Sequence, residues 1–161
     1  MKAPNSLQRL LHRFVMLKPV TAFFAPRTHI IDNFFLRITN SKHTLSEILG
    51  WNIIQLSTTG AKTGKAYTII LIGLTDGERI ALIGSNFGRR HNPAWYYNLK
   101  KNPACSVRVG NVLRKYIARE TEGGEREHYW KLAVAHYAGY EKYRERAAHR
   151  RIPVILLEPA K

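Results

Sequence analysis

The segment of residues 56–103, LSTTGAKTGKAYTIILIGLTDGERIALIGSNFGRRHNPAWYYNLKKNP, decides the fold. An apolar run at residues 51–56 enters a turn rich in Gly, Thr and Lys, and a second apolar run leaves it at residues 67–74. The dipeptide Asp76-Gly77 separates this second run from a third, residues 79–84. Asp-Gly between two apolar runs is a strong signal for a β-hairpin. The segment therefore predicts consecutive antiparallel strands.

The turn between the first two runs, residues 58–65 and called the Gly-Lys turn below, has the composition of an anion-binding loop. Gly60 and Gly64 allow backbone N–H groups to approach a ligand closely, and Lys62 and Lys65 add positive charge. Its spacing differs from that of the P-loop, which needs four residues between its first Gly and its Gly-Lys-Ser/Thr. On spacing alone, a hairpin turn with solvated lysines is an equally good interpretation.

A polar loop, residues 85–92, follows the third run, and Pro93 then opens a short helix. Proline suits the first helical turn because its missing N–H has no partner to lose there. The N-terminal end of the helix dipole points toward the loop and favours an anion. Trp95, Tyr96 and Tyr97 can cover a flat ring, or they can belong to the core.

The remainder of the chain returns to a β pattern and then to helix. Residues 105–109 and 112–119 alternate as two strands, residues 125–137 predict a helix, and residues 151–157 predict a final buried strand. Three tyrosines, Tyr137, Tyr140 and Tyr143, recur at i+3 steps along one side of a helix. Gly139 weakens the helix at this point, so the segment could move as a lid. Without other evidence, aromatic packing explains the tyrosines equally well.

Length and composition indicate one globular domain with an anionic partner. The chain has 161 residues, of which 45% are hydrophobic, and a net charge of +15 from 26 Lys and Arg against 11 Asp and Glu. Such a charge favours nucleic acid, an anionic membrane surface or a polyanionic ligand. The single cysteine, Cys105, excludes an internal disulfide and suits the reduced cytosol, with its side chain in the core. No group of Cys and His has zinc-site spacing, so we predict no metal.

Residues 1–50 predict an N-terminal amphipathic helical extension. In the first helix, Leu7, Leu10 and Phe14 lie on one face, while Arg9 and Arg13 fall on another. A second helix is predicted over residues 27–38. The apolar stretch is too short and too interrupted for a secretory signal or a membrane-spanning helix. Two interpretations remain open: the helices cap the following domain, or they form a basic anchor on an anionic membrane.

Six segments together resemble the deazaflavin-dependent nitroreductase family: TTGAKTGK, ALIGSNFG, HNPAWYYNLKKNP, GEREHYW, YAGYEKY and RRIPVILLEP. The resemblance runs in order over residues 56–159, and the PAWYYNLKKNP segment is its most specific part. It implies an α+β fold, the FMN-binding split β-barrel with flanking helices, over residues 51–161. It also implies coenzyme F420 as the cofactor, with an FMN-binding split barrel as the alternative.

The resemblance implies a site, carried over position by position. It assigns catalytic roles to Ser85, Tyr137, Tyr140 and Tyr143. The Gly-Lys turn would hold the cofactor's phosphate and acidic tail, two strands would line its ring, the helix after Pro93 would bind its linker, and Tyr140 would close the pocket. The implied cofactor-binding residues are Ala61, Lys62, Thr63, Tyr67, Thr68, Ile69, Ile70, Leu71, Ile72, Ile83, Gly84, Ser85, Asn86, Ala94, Trp95, Tyr96, Tyr97, Asn98 and Tyr140.

Two positions depart from the family pattern. Family members often carry Arg where Tyr67 stands and a basic residue where Asn86 stands, and both help to hold anionic groups. Arg89 and Arg90, just after Asn86, could compensate. Ile72 occupies a pocket position that can be aromatic, so the range of acceptors could differ.

The implied activity is hydride transfer from reduced F420 to a quinone, a nitroaromatic or an enone. A non-enzymatic basic module that binds nucleic acid or membrane is the rival. Nucleic acid is not expected, because the basic residues concentrate in the Gly-Lys turn, at Arg89-Arg90 and in the tail rather than alternating with aromatics along a groove. We expect a cytoplasmic protein, with peripheral contact to the inner face of the cell membrane through the N-terminal helix. The sequence leaves the oligomeric state open.

Overall fold

The computed structural model describes residues 52–160. The predicted N-terminal extension, residues 1–50, lies outside the described residues, so its two predicted helices stay predictions. The strands are β1 Ile53–Thr59, β2 Ala66–Ile72, β3 Leu74–Asp76, β4 Arg79–Ile83, β5 Ala104–Val109, β6 Val112–Glu120 and β7 Val154–Pro159. The helices are a 3₁₀ turn at Asn86–Gly88, α1 Ala94–Lys101, α2 Gly123–His136 and α3 Gly139–Arg146.

The seven strands form one sheet in the order β2-β1-β5-β6-β7-β4-β3. Every neighbouring pair is antiparallel. The predicted hairpin at Asp76-Gly77 is confirmed: Asp76 pairs with Arg79, and Gly77 has a φ of +60°, which suits the turn. The predicted final strand, β7, lies inside the sheet, between β6 and β4, and its residues Val154 to Leu157 are buried.

Two hydrophobic clusters cover opposite faces of the sheet. Helix α1 packs Trp95 and Leu99 against one face, where Leu56 pairs across strands with Val107. Helices α2 and α3 cover the other face over β4 and β7, where Leu156 is buried among tyrosines. Cross-strand partners share a face because side chains alternate along a strand. This curled antiparallel sheet with flanking helices confirms the predicted α+β fold.

Three sequence predictions need correction in detail. The run at residues 67–74 is two strands, because the chain turns at Gly73, where a Cβ would stand 2.8 Å from Ile54 Cγ2 and 3.1 Å from Ile80 Cγ2. The helix predicted for residues 125–137 begins earlier, at Gly123, and ends at His136. Pro93 is the residue before α1 rather than its first helical residue.

Candidate active site

Helix α1 holds the Gly-Lys turn. The Asn98 side chain accepts a hydrogen bond from the Ala61 N–H at 2.9 Å and donates one to Thr58 Oγ1 at 3.0 Å. Lys101 Nζ donates to the Ala61 carbonyl at 2.7 Å. Within the turn, the Gly64 N–H donates to the Gly60 carbonyl at 2.9 Å. The backbone of the turn is therefore fixed by residues 37 to 40 positions later in the chain.

The lysines of this turn face solvent, and so do most side chains of the strand that follows it. Lys62, Thr63 and Lys65 are exposed. On β2, Tyr67 is 48%, Ile69 41% and Ile70 46% exposed, which is unusual for an apolar strand. This edge strand therefore offers exposed apolar side chains next in the chain to the two exposed lysines of the turn. Of the other predicted positions on this strand, Thr68 is exposed, whereas Leu71 and Ile72 are half-buried.

Of the three aromatic residues predicted to cover a ring, only one has an exposed side chain. Trp95 is 5% exposed and belongs to the core. Tyr96 is half-buried and its hydroxyl donates to Glu120 Oε2 at 3.0 Å. Tyr97 is 47% exposed and meets Tyr96 edge to face. Of the three, only Tyr97 is therefore exposed enough to cover a ring, and Ala94 on the same helix is also exposed.

The 85–92 loop leaves β4 with a strained backbone. Asn86 and Phe87 have φ values of 46° and 57°, in the left-handed region that non-glycine residues rarely adopt. Ser85 is half-buried, and its side chain does not cap the 3₁₀ turn that follows it. The Asn86 side chain donates to the His91 carbonyl at 2.8 Å. Just before the loop, the Ile83 side chain belongs to the core, and the Gly84 N–H donates to the Pro153 carbonyl at 2.9 Å.

Arg150 binds the backbone of the 85–92 loop, a contact that no sequence pattern predicted. Its guanidinium donates to the carbonyls of Ser85 at 2.8 Å, Arg89 at 3.0 Å and Gly84 at 3.4 Å, and to Asn92 Oδ1. In the sequence it looks like one member of a basic, solvated tail. No local signal separates it from its exposed neighbour Arg151.

The three tyrosines, called the tyrosine cluster below, are brought together as predicted but not on one helix. Tyr137 lies between α2 and α3, whereas Tyr140 and Tyr143 belong to α3. The ring centroids of the three pairs are 5.5, 6.1 and 6.2 Å apart. The ring of Tyr137 covers the position where Gly139 would carry a Cβ, so the glycine serves close packing. All three side chains are at least 94% buried, because their exposed fractions are 3%, 5% and 6%.

Burial sets the protonation of this cluster. It raises the pKa of Tyr137, Tyr140 and Tyr143 above the ordinary value of tyrosine. The hydroxyl oxygens of Tyr137 and Tyr143 are 3.3 Å apart and share a hydrogen bond. A neutral hydroxyl with a raised pKa can still donate a hydrogen bond, but it is a poor proton donor. These tyrosines are therefore less suited to delivering a proton than a tyrosine with the ordinary pKa of about 10.

The site residues fall into two groups. The first is the Gly-Lys turn with β2 and α1, and the second is the tyrosine cluster with Ser85. Within the second, Phe87 meets the Tyr143 ring edge to face at 5.9 Å. The 85–92 loop joins the groups, because it runs from β4 into α1.

A recess of about 200 Å³ lies elsewhere, between α1 and β6, where Leu99, Lys100 and Glu120 line it. It contains none of the predicted site residues and is a shallow surface feature beside the Lys100–Glu120 ion pair. Between residues 52 and 160, no three His, Cys, Asp or Glu side chains are grouped to hold a metal.

The family comparison decides the class of this site. The model of the F420H(2)-dependent quinone reductase family matches residues 32–159. This chain belongs to that family. The F420H(2)-dependent quinone reductase Rv1261c of Mycobacterium tuberculosis is 32% identical over 107 residues, which cover 65% of this chain and 71% of the relative.

Two solved structures are similar to this chain in sequence and in fold. One, titled F420-H2 dependent reductase (FDR-A), is 41% identical with a TM-score of 0.62, and the match covers 66% of this chain and 94% of that one. Another, titled a domain-swapped dimer, is 34% identical with a TM-score of 0.63, over 88% of this chain and 100% of the other.

Membership confirms the predicted resemblance, the split-barrel class, the oxidoreductase activity and F420 as the cofactor. The boundary predicted between residues 1–50 and 51–161 stays a prediction, as do the roles of the individual site residues. None of the helices within residues 52–160 is long and apolar enough to cross a membrane.

Proposed function

We propose that this chain binds reduced F420 on the surface of the Gly-Lys turn and β2, with the 85–92 loop beside the reacting ring, and reduces a quinone there. The observation that carries the proposal is the exposed apolar strand β2 directly beside Lys62 and Lys65. Nitroaromatics and enones are further acceptors to compare, because a barrel of this kind does not by itself select one.

The chemistry of this surface fits the cofactor. F420 combines a flat deazaflavin ring with a phosphate and an acidic tail. Tyr67 and Ile69, which lie on the same face of β2, present exposed apolar side chains to the ring, whereas Ile70 lies on the opposite face. Lys62 and Lys65 would bind the phosphate and the acidic tail of the cofactor. The glycines of their turn let an anionic group approach the backbone closely. An FMN phosphate would satisfy the same turn, so the two cofactors are compared directly below.

The residues present can orient and shield the reaction. Bound F420 supplies a hydride from its central ring carbon. The Ser85 hydroxyl, uncommitted to the helix it precedes, would donate to the acceptor oxygen as negative charge develops on it. The tyrosine cluster would keep the acceptor side apolar, with Tyr140 and Tyr143 as neutral donors. The proton that completes the reduction would then come from water rather than from an ionising tyrosine.

The test is a titration of the purified full chain with F420 and, separately, with FMN, followed by fluorescence. Menadione reduction by reduced F420 is then measured. We expect saturable F420 binding and turnover, with FMN binding weaker and unproductive. Tighter binding of FMN than of F420, with flavin-dependent turnover, would replace this proposal with the FMN alternative.

The site of action in the cell is a separate proposal, motivated by the basic amphipathic pattern at the start of the chain. Leu7, Leu10 and Phe14 opposite Arg9 and Arg13 suit peripheral contact with an anionic membrane on the cytoplasmic side. Full-length protein should sediment with anionic vesicles more than a version lacking residues 1–18, and salt should release part of it. Equal sedimentation of the two versions would contradict this contact.

A further inference from the structure

The 85–92 loop has a backbone that its own sequence does not favour. Asn86 and Phe87 are consecutive non-glycine residues with positive φ, at 46° and 57°. The left-handed region costs free energy for residues with a Cβ, and such strain persists only where the surrounding structure holds it. This strained loop includes Ser85 and Asn86, which are predicted to contact the cofactor. Contacts with the rest of the protein have to hold it in place.

Arg150 supplies that restraint at both ends of the loop. At the start, it donates to the carbonyls of Gly84 and Ser85, and at the end to the Arg89 carbonyl and the Asn92 side chain. Only the planar guanidinium presents five N–H donors in a fixed fork, so one side chain can serve four acceptors in different directions. A lysine carries the same charge but reaches fewer of them.

The same loop rests on helix α3 through other atoms. A Cβ on Gly88 would stand 2.6 Å from Arg146 Cβ and 3.0 Å from the Tyr143 carbonyl, so the backbones touch here. The Phe87 ring meets the Tyr143 ring edge to face, with the two centroids 5.9 Å apart. The loop is therefore held between Arg150 and the helix that carries two members of the tyrosine cluster.

We propose that Arg150 is a positioning residue that fixes the 85–92 loop, and with it the Ser85 hydroxyl, against helix α3. For the role of Ser85 this rests on the proposed function above. Arg150 touches no reacting atom in this proposal. It acts through the carbonyls of Gly84 and Ser85, whose orientation sets the direction of the Ser85 side chain.

The test compares Arg150→Lys with Arg151→Lys, the same change at the exposed neighbouring position. Hydrogen exchange is followed at the Gly88 and Arg89 amides, which donate to the Ser85 and Asn86 carbonyls at 2.9 and 3.0 Å. Turnover of menadione is measured per F420-binding site, so that loss of folded protein does not count. In Arg150→Lys we expect faster exchange at these two amides only, and a kcat lowered about tenfold with the Kd for F420 changed less than about threefold. Arg151→Lys should match the wild type.

Asn92→Ala is a milder second variant, because it removes one of the four acceptors and leaves the arginine in place. It should shift exchange and kcat in the same direction by a smaller factor. Wild-type exchange and wild-type kcat in Arg150→Lys would overturn the proposal. If the wild type itself bound no F420, the proposed function would fail, and the exchange of Gly88 and Arg89 alone would decide whether Arg150 fixes the loop.

Discussion

The side chain of Asn98, on helix α1, accepts a hydrogen bond from the backbone N–H of Ala61, 37 positions earlier in the chain. The other end of the same amide donates to Thr58. The resemblance places Asn98 against the cofactor linker, but both ends of its amide are engaged by the protein. Asn98 therefore fixes the backbone of the Gly-Lys turn.

Replacing Asn98 should loosen the turn without removing any charge. Asn98→Ala leaves the Ala61 N–H and the Thr58 hydroxyl without their partner, so we expect a loss of about 1–3 kcal/mol in the free energy of unfolding. The affinity for F420 should fall as well, because the turn is no longer preorganised. Chemical denaturation and fluorescence titration measure the two effects. Asn111→Ala, at an exposed turn position, is the control. Unchanged stability and affinity in Asn98→Ala would show that the helix does not organise the turn.

The charge of Lys62 should contribute to binding rather than to folding. Lys62 is exposed, so Lys62→Ala should leave the melting temperature unchanged. Affinity for F420 should weaken by about 1–3 kcal/mol, the scale of a charge-assisted hydrogen bond, and the difference should shrink at high salt. Lys131→Ala, an equally exposed lysine on α2, is the matched control. Equal F420 affinity of the two variants at low salt would leave the turn a solvated hairpin.

Gly139 should tolerate no side chain. A Cβ there would overlap the ring of Tyr137, whereas a Cβ on Gly124, in the first turn of α2, meets nothing within 4 Å. Gly139→Ala should therefore destabilise the protein by roughly 1–3 kcal/mol through overpacking, and it should slow turnover because Tyr137 has to move. Gly124→Ala should be neutral or slightly stabilising. Thermal melts of the two variants decide the point. Equal melting temperatures would mean that the segment is loose enough to accommodate the methyl group.

Cys105 should make stability depend on pH in the alkaline range. Burial raises the pKa of its thiol to about 12, from 9.0 in the unfolded reference. The folded state thus holds its proton more tightly, so its contribution is complete below pH 9 and is lost as the pH rises toward 12. Between pH 8 and pH 10 the stability advantage of the wild type over Cys105→Ala should shrink by about 1.4 kcal/mol. Denaturation curves at both pH values measure it. A pH-independent difference would indicate that the thiolate is not excluded from the core.

The fold was predictable from local patterns, because strand alternation and turn chemistry are local properties. Asp76-Gly77 placed a hairpin, and the alternation around Cys105 and Val107 placed a strand with the correct buried face. The split at Gly73 was not visible, because it depends on Ile54 and Ile80 approaching from other strands.

The roles of Ser85 and the tyrosines came from the family resemblance and stay predictions. The structure does bring the loop that carries Ser85 against the tyrosine cluster, because Phe87 meets the ring of Tyr143 edge to face. The burial of Trp95, the engagement of Asn98 and the role of Arg150 depend on residues far apart in sequence. The sequence shows that Arg150 is basic, but only the structure shows that its guanidinium donates to the carbonyls of Ser85 and Arg89.

The last prediction separates hydrogen-bond donation from packing in the tyrosine cluster. Tyr140→Phe keeps the buried ring and removes only the hydroxyl. If the hydroxyl orients the acceptor, turnover of menadione should slow by about tenfold, or ~1.4 kcal/mol, with F420 affinity nearly intact. This is less than the roughly 2.7–4 kcal/mol lost with a well-ordered oxyanion donor, because a donor on the short helix α3 is less preorganised.

Two further variants and one control complete the comparison. Ser85→Ala should behave like Tyr140→Phe, because both would remove one donor and leave the cofactor surface intact. Tyr140→Ala should also lower stability by about 3–5 kcal/mol, since the ring leaves a cavity in the core. Tyr129→Phe is the matched control: its hydroxyl donates to Asp76 at 2.9 Å, and neither residue is a predicted site residue, so this variant should lose stability and keep turnover. Full turnover in both Tyr140→Phe and Ser85→Ala, with quinone and nitro acceptors alike, would make the tyrosine cluster a packing element. The developing charge would then have to be met by water.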